Sequence, residues 1–296
     1  MAVTGQKPHI LFRLLLFALY ASALLLAGYV LWNYWDYYMQ PFQLRPRHPD
    51  YRVMKPGGFI SHGLGILGTL MMLLLLLYSV RKRTRLFGRA GAVSRWLDVH
   101  IFMGSMGPVF VVLHSTFKLN GLVAVSFWSM VLVALSGVLG RYLYLQIPRG
   151  IRGNELTLDE VEKENKELAG ILREEYKLNE QEIEQLELAI MPPRYSQSMF
   201  ALFFGLLFSE LRLWFRLPAI RRQIRRRHNV PAQDVHRFVK IMHRKAVLAR
   251  RIALLDRVRL LFHYWHVFHK PFAIIMYLIM LVHVGISVYL GYTWIF

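Results

Sequence analysis

The chain has 296 residues, 55% of them hydrophobic and 14% aromatic, with a formal charge of +19 and no cysteine. That apolar content exceeds what the core of a soluble domain takes up. The lack of cysteine excludes disulfides, thiolate metal sites, iron–sulfur clusters and covalently attached c-type haem within the chain, so a bound metal has to use histidine, carboxylate or methionine.

Five apolar runs follow in chain order, at residues 11–31, 59–80, 99–117, 122–145 and 271–296. Each is near the roughly 20 residues that cross a bilayer as a helix. The predicted fold is an all-α integral membrane protein of about five transmembrane helices: four within residues 1–146, a cytoplasmic helical insertion over 147–260, and the fifth within 261–296. The first run is longer than a signal-peptide core and lacks a small-residue cleavage site, so it is expected to be retained. The positive charge does not point to nucleic acid, because Lys and Arg cluster beside the apolar runs, where they serve orientation and contact with anionic lipid.

Between the second and third runs stands Arg81-Lys82-Arg83-Thr84-Arg85-Leu86-Phe87-Gly88-Arg89. So short and basic a loop belongs on the cytoplasmic side. The third run then leads outward and the fourth returns to the cytoplasm at Arg141, Arg149 and Arg152. This places the chain in the cell's inner (cytoplasmic) membrane with a cytoplasmic amino terminus and an external carboxyl terminus.

The insertion has an acidic half and a basic half. Twelve of the eighteen acidic residues lie between Glu155 and Glu187, where Thr157 with Glu160 and Asn179 with Glu182 read as capping boxes opening two helices. This hairpin is either a solvated surface element or a docking face for a basic partner. From Arg216 to Arg259 the chain is strongly basic, with only Asp234 and Asp256 against it. If the run at 199–215 crossed the bilayer, that basic stretch would lie outside. The run is therefore expected to be an amphipathic interfacial helix, with a sixth span as the alternative.

The decisive pattern lies among the twelve histidines: His100 and His114 are fourteen residues apart, and so are His269 and His283. Fourteen residues bring a helix back to within about 40° of its starting direction after a rise of roughly 21 Å. Each pair therefore faces one way at two depths. With the third and fifth spans parallel, His100 is level with His269 and His114 with His283. A porphyrin between helices takes one imidazole from each side, so two such levels predict two bis-histidine b-type haems in a four-helix bundle. A lone intramembrane histidine is more often hydrogen-bonded across helices or set in a polar cavity. Matched spacing on two spans favours ligation, whereas a zinc or proton-relay site would cluster its ligands at one level.

Gly104 and Gly107, four and seven positions after His100, would present a smooth face to a macrocycle, although such glycines also serve close helix contact, as Gly137 and Gly140 would. Arg95, Arg141 and Lys118 sit near helix ends, where they can pair with haem propionates or act as snorkelling anchors.

Histidine, thirteen residues, histidine, repeated on two helices, resembles the di-haem cytochrome b architecture and the ferric-reductase-like transmembrane domain, over residues 59–296. The resemblance implies that His100, His114, His269 and His283 are the axial ligands and that quinol or a membrane-associated partner exchanges electrons at either haem. Unlike ferric reductases and NADPH oxidases, the chain shows no flavin- or nucleotide-binding region after the last ligand helix and no glycine-rich phosphate loop. The expected role is the membrane subunit of a larger redox complex, drawing on the quinone pool and on an iron–sulfur, flavin or c-type cytochrome subunit. His62 and His266 are candidates for proton exchange with quinone, against a plain interfacial role. The competing readings are a proton-coupled transporter, which would be expected to show broken helices or repeats, and a non-catalytic scaffold.

Overall fold

A computed structural model describes residues 10–84, 87, 91–147, 158–190, 198–208, 215, 218, 222 and 234–292. Regular structure among the described residues is helical throughout. Five helices are long and apolar enough to cross a membrane: Ile10–Met39, the segment Tyr51–Arg83, Val93–Ser115, Gly121–Gln146 and Val235–Tyr289. A helix is what such runs must form, since lipid offers no hydrogen bonds to backbone groups and a helix satisfies them internally. The described residues fall in two compact units, Met1–Leu139 with Val267–Phe296, and Gly140–His266.

In the first unit, α1 (Ile10–Met39) exposes Leu11, Leu25 and Trp32 and buries a narrow strip, Ala23, Ala27 and Val30, with Tyr37 and Tyr38 near its end. Spacings of four and three put those small residues on one face, which lets α1 approach α5 (Val93–Ser115) closely. Tyr20 of α1 meets Phe102 edge-on at 4.8 Å, and the Tyr38 hydroxyl donates to the Leu113 carbonyl at 2.9 Å. After α1 the short α2 (Tyr51–Met54) leads into α3 (Phe59–Leu74), which Leu75 joins to α4 (Leu76–Arg83).

The buried Arg45, between α1 and α2, donates to the carbonyls of Gln40 at 2.9 Å, Tyr38 at 2.9 Å and Thr116 at 2.6 Å. It ties the end of α1 to the end of α5, where Thr116 and Phe117 take positive φ and stop the helix. Desolvation holds its guanidinium below the usual arginine range. The bonds to three carbonyls and the faces of Phe42 and Tyr37, at 4.3 and 5.2 Å, receive the cation.

α3, α5, α6 (Gly121–Gln146) and the last helix share one apolar cluster that includes Met72, Leu75, Met103, Phe127, Met130 and Met276. Hydrogen bonds between spans fix the directions. Ser126 donates to the Met276 carbonyl at 3.0 Å, and Ser136 lies 2.8 Å from His269, so the last helix runs antiparallel to α6. The Tyr277 hydroxyl donates to the Met72 carbonyl at 2.6 Å.

In the second unit, α7 (Leu158–Tyr176) and α8 (Glu180–Ile190) form the acidic hairpin. The expected box at its turn is present: the Asn179 N–H donates to Glu182 at 2.9 Å and the Glu182 N–H to Asn179 Oδ1 at 2.8 Å. Thr157, of the other expected box, lies outside the described residues. The hairpin's partner is basic and belongs to the same chain. Leu172, Ile183 and Leu186 pack on Phe238, Met242 and Ala246 of α10 (Val235–Tyr289), and Arg237, Arg244 and Lys245 pair with Glu175, Glu164 and Glu187.

The run expected at 199–215 begins as α9 (Met199–Phe208). Leu202 and Leu206 are buried against Leu254 and Val258, whereas Phe200, Phe204 and Phe208 line the exposed side. Residues 209–214, and Gly153 and Asn229 with the arginine-rich stretch around them, lie outside the described residues.

Candidate functional site

α3 and α5 meet at both ends of their shared length through a histidine. At one end the imidazole Nδ1 of His114 lies 2.7 Å from the Ser61 carbonyl oxygen, and the Ser61 hydroxyl donates back to the His114 carbonyl at 2.8 Å. Ser61 is fully buried there. At the other end His100 Nδ1 is 3.3 Å from the Leu75 carbonyl, and its ring lies 5.0 Å from that of Tyr78. Leu75 joins α3 to α4 in helical φ/ψ, and its carbonyl also accepts the Tyr78 N–H at 3.3 Å. Between the two ends Gly68 and Gly107 bring the backbones together: a Cβ at Gly68 would stand 3.1 Å from the Gly107 carbonyl oxygen.

The last helix brings a third histidine to the first of these ends. His283 is within electrostatic reach of His114 and His62, and the ring of His62 lies 6.5 Å from that of His114. Since α3 is antiparallel both to α5 and to the last helix, those two are parallel. Fourteen residues earlier on each stand His100 and His269, a distance of roughly 21 Å along an ideal helix. The apolar, methionine-rich cluster lies between.

An axial haem ligand has to present an imidazole nitrogen that carries a lone pair and no proton. A carbonyl oxygen only accepts, so His114 and His100 must each hold their proton on Nδ1, which leaves Nε2 with the lone pair. Among the described residues nothing is hydrogen-bonded to either Nε2. For His269 the partner is Ser136 Oγ at 2.8 Å, and the same hydroxyl is within reach of the Val133 carbonyl at 2.9 Å; with the serine proton on that carbonyl, Nδ1 of His269 donates as well. This is how metal-bound histidines are usually oriented. The donor set therefore fits bis-imidazole iron.

The remaining candidates are placed as follows. Gly107 lies against α3, where a Cβ would meet Met72 Sδ at 3.2 Å and Met71 Cβ at 3.4 Å, and a Cβ at Gly104 would lie 3.6 Å from Leu75. The face these glycines offer is filled by the second span, which is the helix-contact use. Arg95 stands in the first turn of α5 beside Gly91, and Lys118 is exposed just past the end of that helix. In the second unit, Arg141 stacks 5.5 Å from the ring of Tyr144. His266, also there, donates through Nδ1 to the Phe262 carbonyl at 2.8 Å and sits edge-on to Trp265 at 4.5 Å.

Three residues escape a reading based on histidine spacing: Ser61, Gly65 and Ser136. A Cβ at Gly65 would fall 2.7 Å from His114 Nδ1. Only a glycine leaves the imidazole room to reach Ser61, and the signal available in the sequence is the run Gly63-Leu64-Gly65-Ile66-Leu67-Gly68 on the second span. Comparison with protein-family models, curated proteins and solved structures gives no match to this chain.

Proposed function

We propose that this chain is the membrane subunit of a quinone-linked oxidoreductase complex and transfers electrons across the bilayer through two b-type haems, held by His100 with His269 and by His114 with His283. The observation that carries this reading is that His100 and His114 commit Nδ1–H to backbone carbonyls, at 3.3 and 2.7 Å, and that His269 Nδ1 stands 2.8 Å from Ser136 Oγ, on two parallel helices that each bear a histidine pair. A bound haem supplies a one-electron carrier at each level.

The protein's own part is orientation and exclusion. The carbonyls of Ser61 and Leu75 and the hydroxyl of Ser136 hold the ring planes and keep Nε2 basic. Met72, Met103, Met130 and Met276 provide a water-poor filling between the levels and conform to irregular surfaces. His62, beside His114, and His266, three positions before His269, offer imidazoles as proton-exchange groups for a quinone at either boundary. Electrons pass to or from an iron–sulfur, flavin or c-type cytochrome subunit.

The proposed orientation keeps the amino terminus and residues 147–260 cytoplasmic and the carboxyl terminus external, in the inner membrane. Two features support it. The last helix runs antiparallel to α6, which is incompatible with a single crossing between them, and α9 offers an apolar outer face suited to lying on lipid.

The test is the visible spectrum of the purified protein, reduced with dithionite. A sharp α-band and a pyridine-haemochrome content of about two haems per chain are expected. A colourless protein from haem-replete cells overturns the reading.

A further inference from the structure

The four proposed ligands are not held alike. His100 and His114 donate to backbone carbonyls, which the fold fixes whatever side chain stands there. His269 Nδ1 instead meets a side chain: Ser136 Oγ at 2.8 Å, in a half-buried setting on the neighbouring helix. Ser136 is itself anchored, since its proton goes to the Val133 carbonyl at 2.9 Å, one turn back on α6. A hydroxyl has one proton to give, so in this geometry it accepts from the imidazole. Two positions after His269 stands Pro271, which donates no backbone hydrogen bond and so weakens the helix locally. The ring of His269 thus has its fixed acceptor on another helix, beside a weak point of its own.

We propose that Ser136 is a positioning residue for His269, selecting its Nδ1–H tautomer and raising the basicity of the Nε2 it presents to iron. This rests on the haem reading. An acceptor on Nδ1–H pushes electron density onto the ring and so favours the ferric over the ferrous form of a metal bound at Nε2. Removing it should favour reduction at that level alone. Ser136→Thr keeps the hydroxyl and serves as the conservative variant.

Two measurements on the full chain in detergent test the proposal. The first is the imidazole nitrogen-15 spectrum of haem-free protein, with His269 assigned by its loss in His269→Gln. The parental ring is expected as the Nδ1–H tautomer, the Ser136→Ala ring as a mixture, and the Ser136→Thr ring as the parent. A parental Nε2–H tautomer, or no change in Ser136→Ala, overturns the proposal. The second is a spectroelectrochemical titration of haem-loaded protein. In Ser136→Ala two haems remain and one midpoint rises, by up to roughly tenfold in the reduced-to-oxidised ratio at fixed poise, or about 59 mV for one electron, while Ser136→Thr matches the parent. Two unmoved midpoints overturn the proposal. If the parental protein takes up no haem, the haem reading fails, and the nitrogen-15 result still decides what Ser136 does. If Ser136→Ala does not insert, the parental tautomer and the Ser136→Thr spectrum decide it.

Discussion

Ser61 and His114 hold each other twice: the imidazole donates to the serine carbonyl at 2.7 Å and the serine hydroxyl donates to the histidine carbonyl at 2.8 Å. The paired bonds orient the ring and fix the register of α3 against α5. Such interhelical bonds are valuable where lipid offers no competing partner, although each contributes only about 1 kcal/mol.

The contact depends on the missing side chain at Gly65, where a Cβ would stand 2.7 Å from His114 Nδ1 and 2.8 Å from Cε1. Gly65→Ala is expected to push the ring off Ser61, to lower thermal stability by about 1–3 kcal/mol, and to remove or loosen the haem of that level. Gly28→Ala is the control, because a Cβ there meets nothing within 4 Å. Equal haem content and equal melting temperature in both variants would show that His114 does not need the space.

The ligand assignment predicts which haem each variant loses. His100→Ala and His269→Ala should lower the pyridine-haemochrome titre from two haems to about one per chain and leave the same spectral component. His114→Ala and His283→Ala should leave the other. Retention of both haems in all four variants would sink the assignment.

Much of this was legible in the sequence, for physical reasons that can be named. Spans of about 20 apolar residues have few alternatives to a membrane helix, and the five runs correspond to five long helices. The Asn179–Glu182 box is a local motif and needs no tertiary information. The roles of Ser61, Gly65 and Ser136 could not be read, because each acts on a residue between 49 and 133 positions away, and small residues leave no pattern distinct from ordinary helix contact. The acidic hairpin was ambiguous for another reason: charge shows that a basic partner is wanted, but only the fold shows that residues 235–259 of the same chain supply it.

That intramolecular clasp contains pairs of unequal value. The Lys245 and Glu187 side chains are only 11% and 21% exposed, whereas those of Arg173 and Glu180 are 51% and 82% exposed. Glu187→Ala leaves an unpartnered ammonium in a mostly buried place and is expected to destabilise the second unit by about 3 kcal/mol. Glu180→Ala should change stability by less than about 1 kcal/mol. Hydrogen exchange in α7 and α8 would report the difference, and replacing both partners, Lys245→Met with Glu187→Leu, should restore most of the protection. Equal exchange in the two single variants would mean that the buried pair does not hold the hairpin down.

The orientation predicts that reporter fusions at Gly153, Asn229 and Phe296 read inside, inside and outside. An external signal at Asn229 would require a sixth crossing, and it would reverse the last helix relative to α6 against the contacts of Ser126 and Ser136.

The proton role of His62 and His266 is the most demanding prediction. His62 lies 6.5 Å from His114, centroid to centroid, at one end of the first unit, while His266 stands one turn before His269, in the part of α10 that follows the basic stretch. A quinone site needs access from lipid together with a proton route to water, and both are available only near the two aqueous boundaries. The two rings are prepared differently. His266 already commits Nδ1–H to the Phe262 carbonyl at 2.8 Å, so any proton it exchanges passes through Nε2. Replacing either histidine by Gln removes the titrating group while keeping a hydrogen-bonding side chain. Both variants should retain two haems, and the one at the quinone site should be reduced at least about a hundredfold more slowly by a quinol analogue, consistent with the loss of a general base. Its rate should also depend on pH differently from the parental rate. The other variant should follow the parental profile, which identifies the side on which quinone binds. Parental rates in both variants from pH 6 to 8 would return both histidines to ordinary interfacial hydrogen bonding.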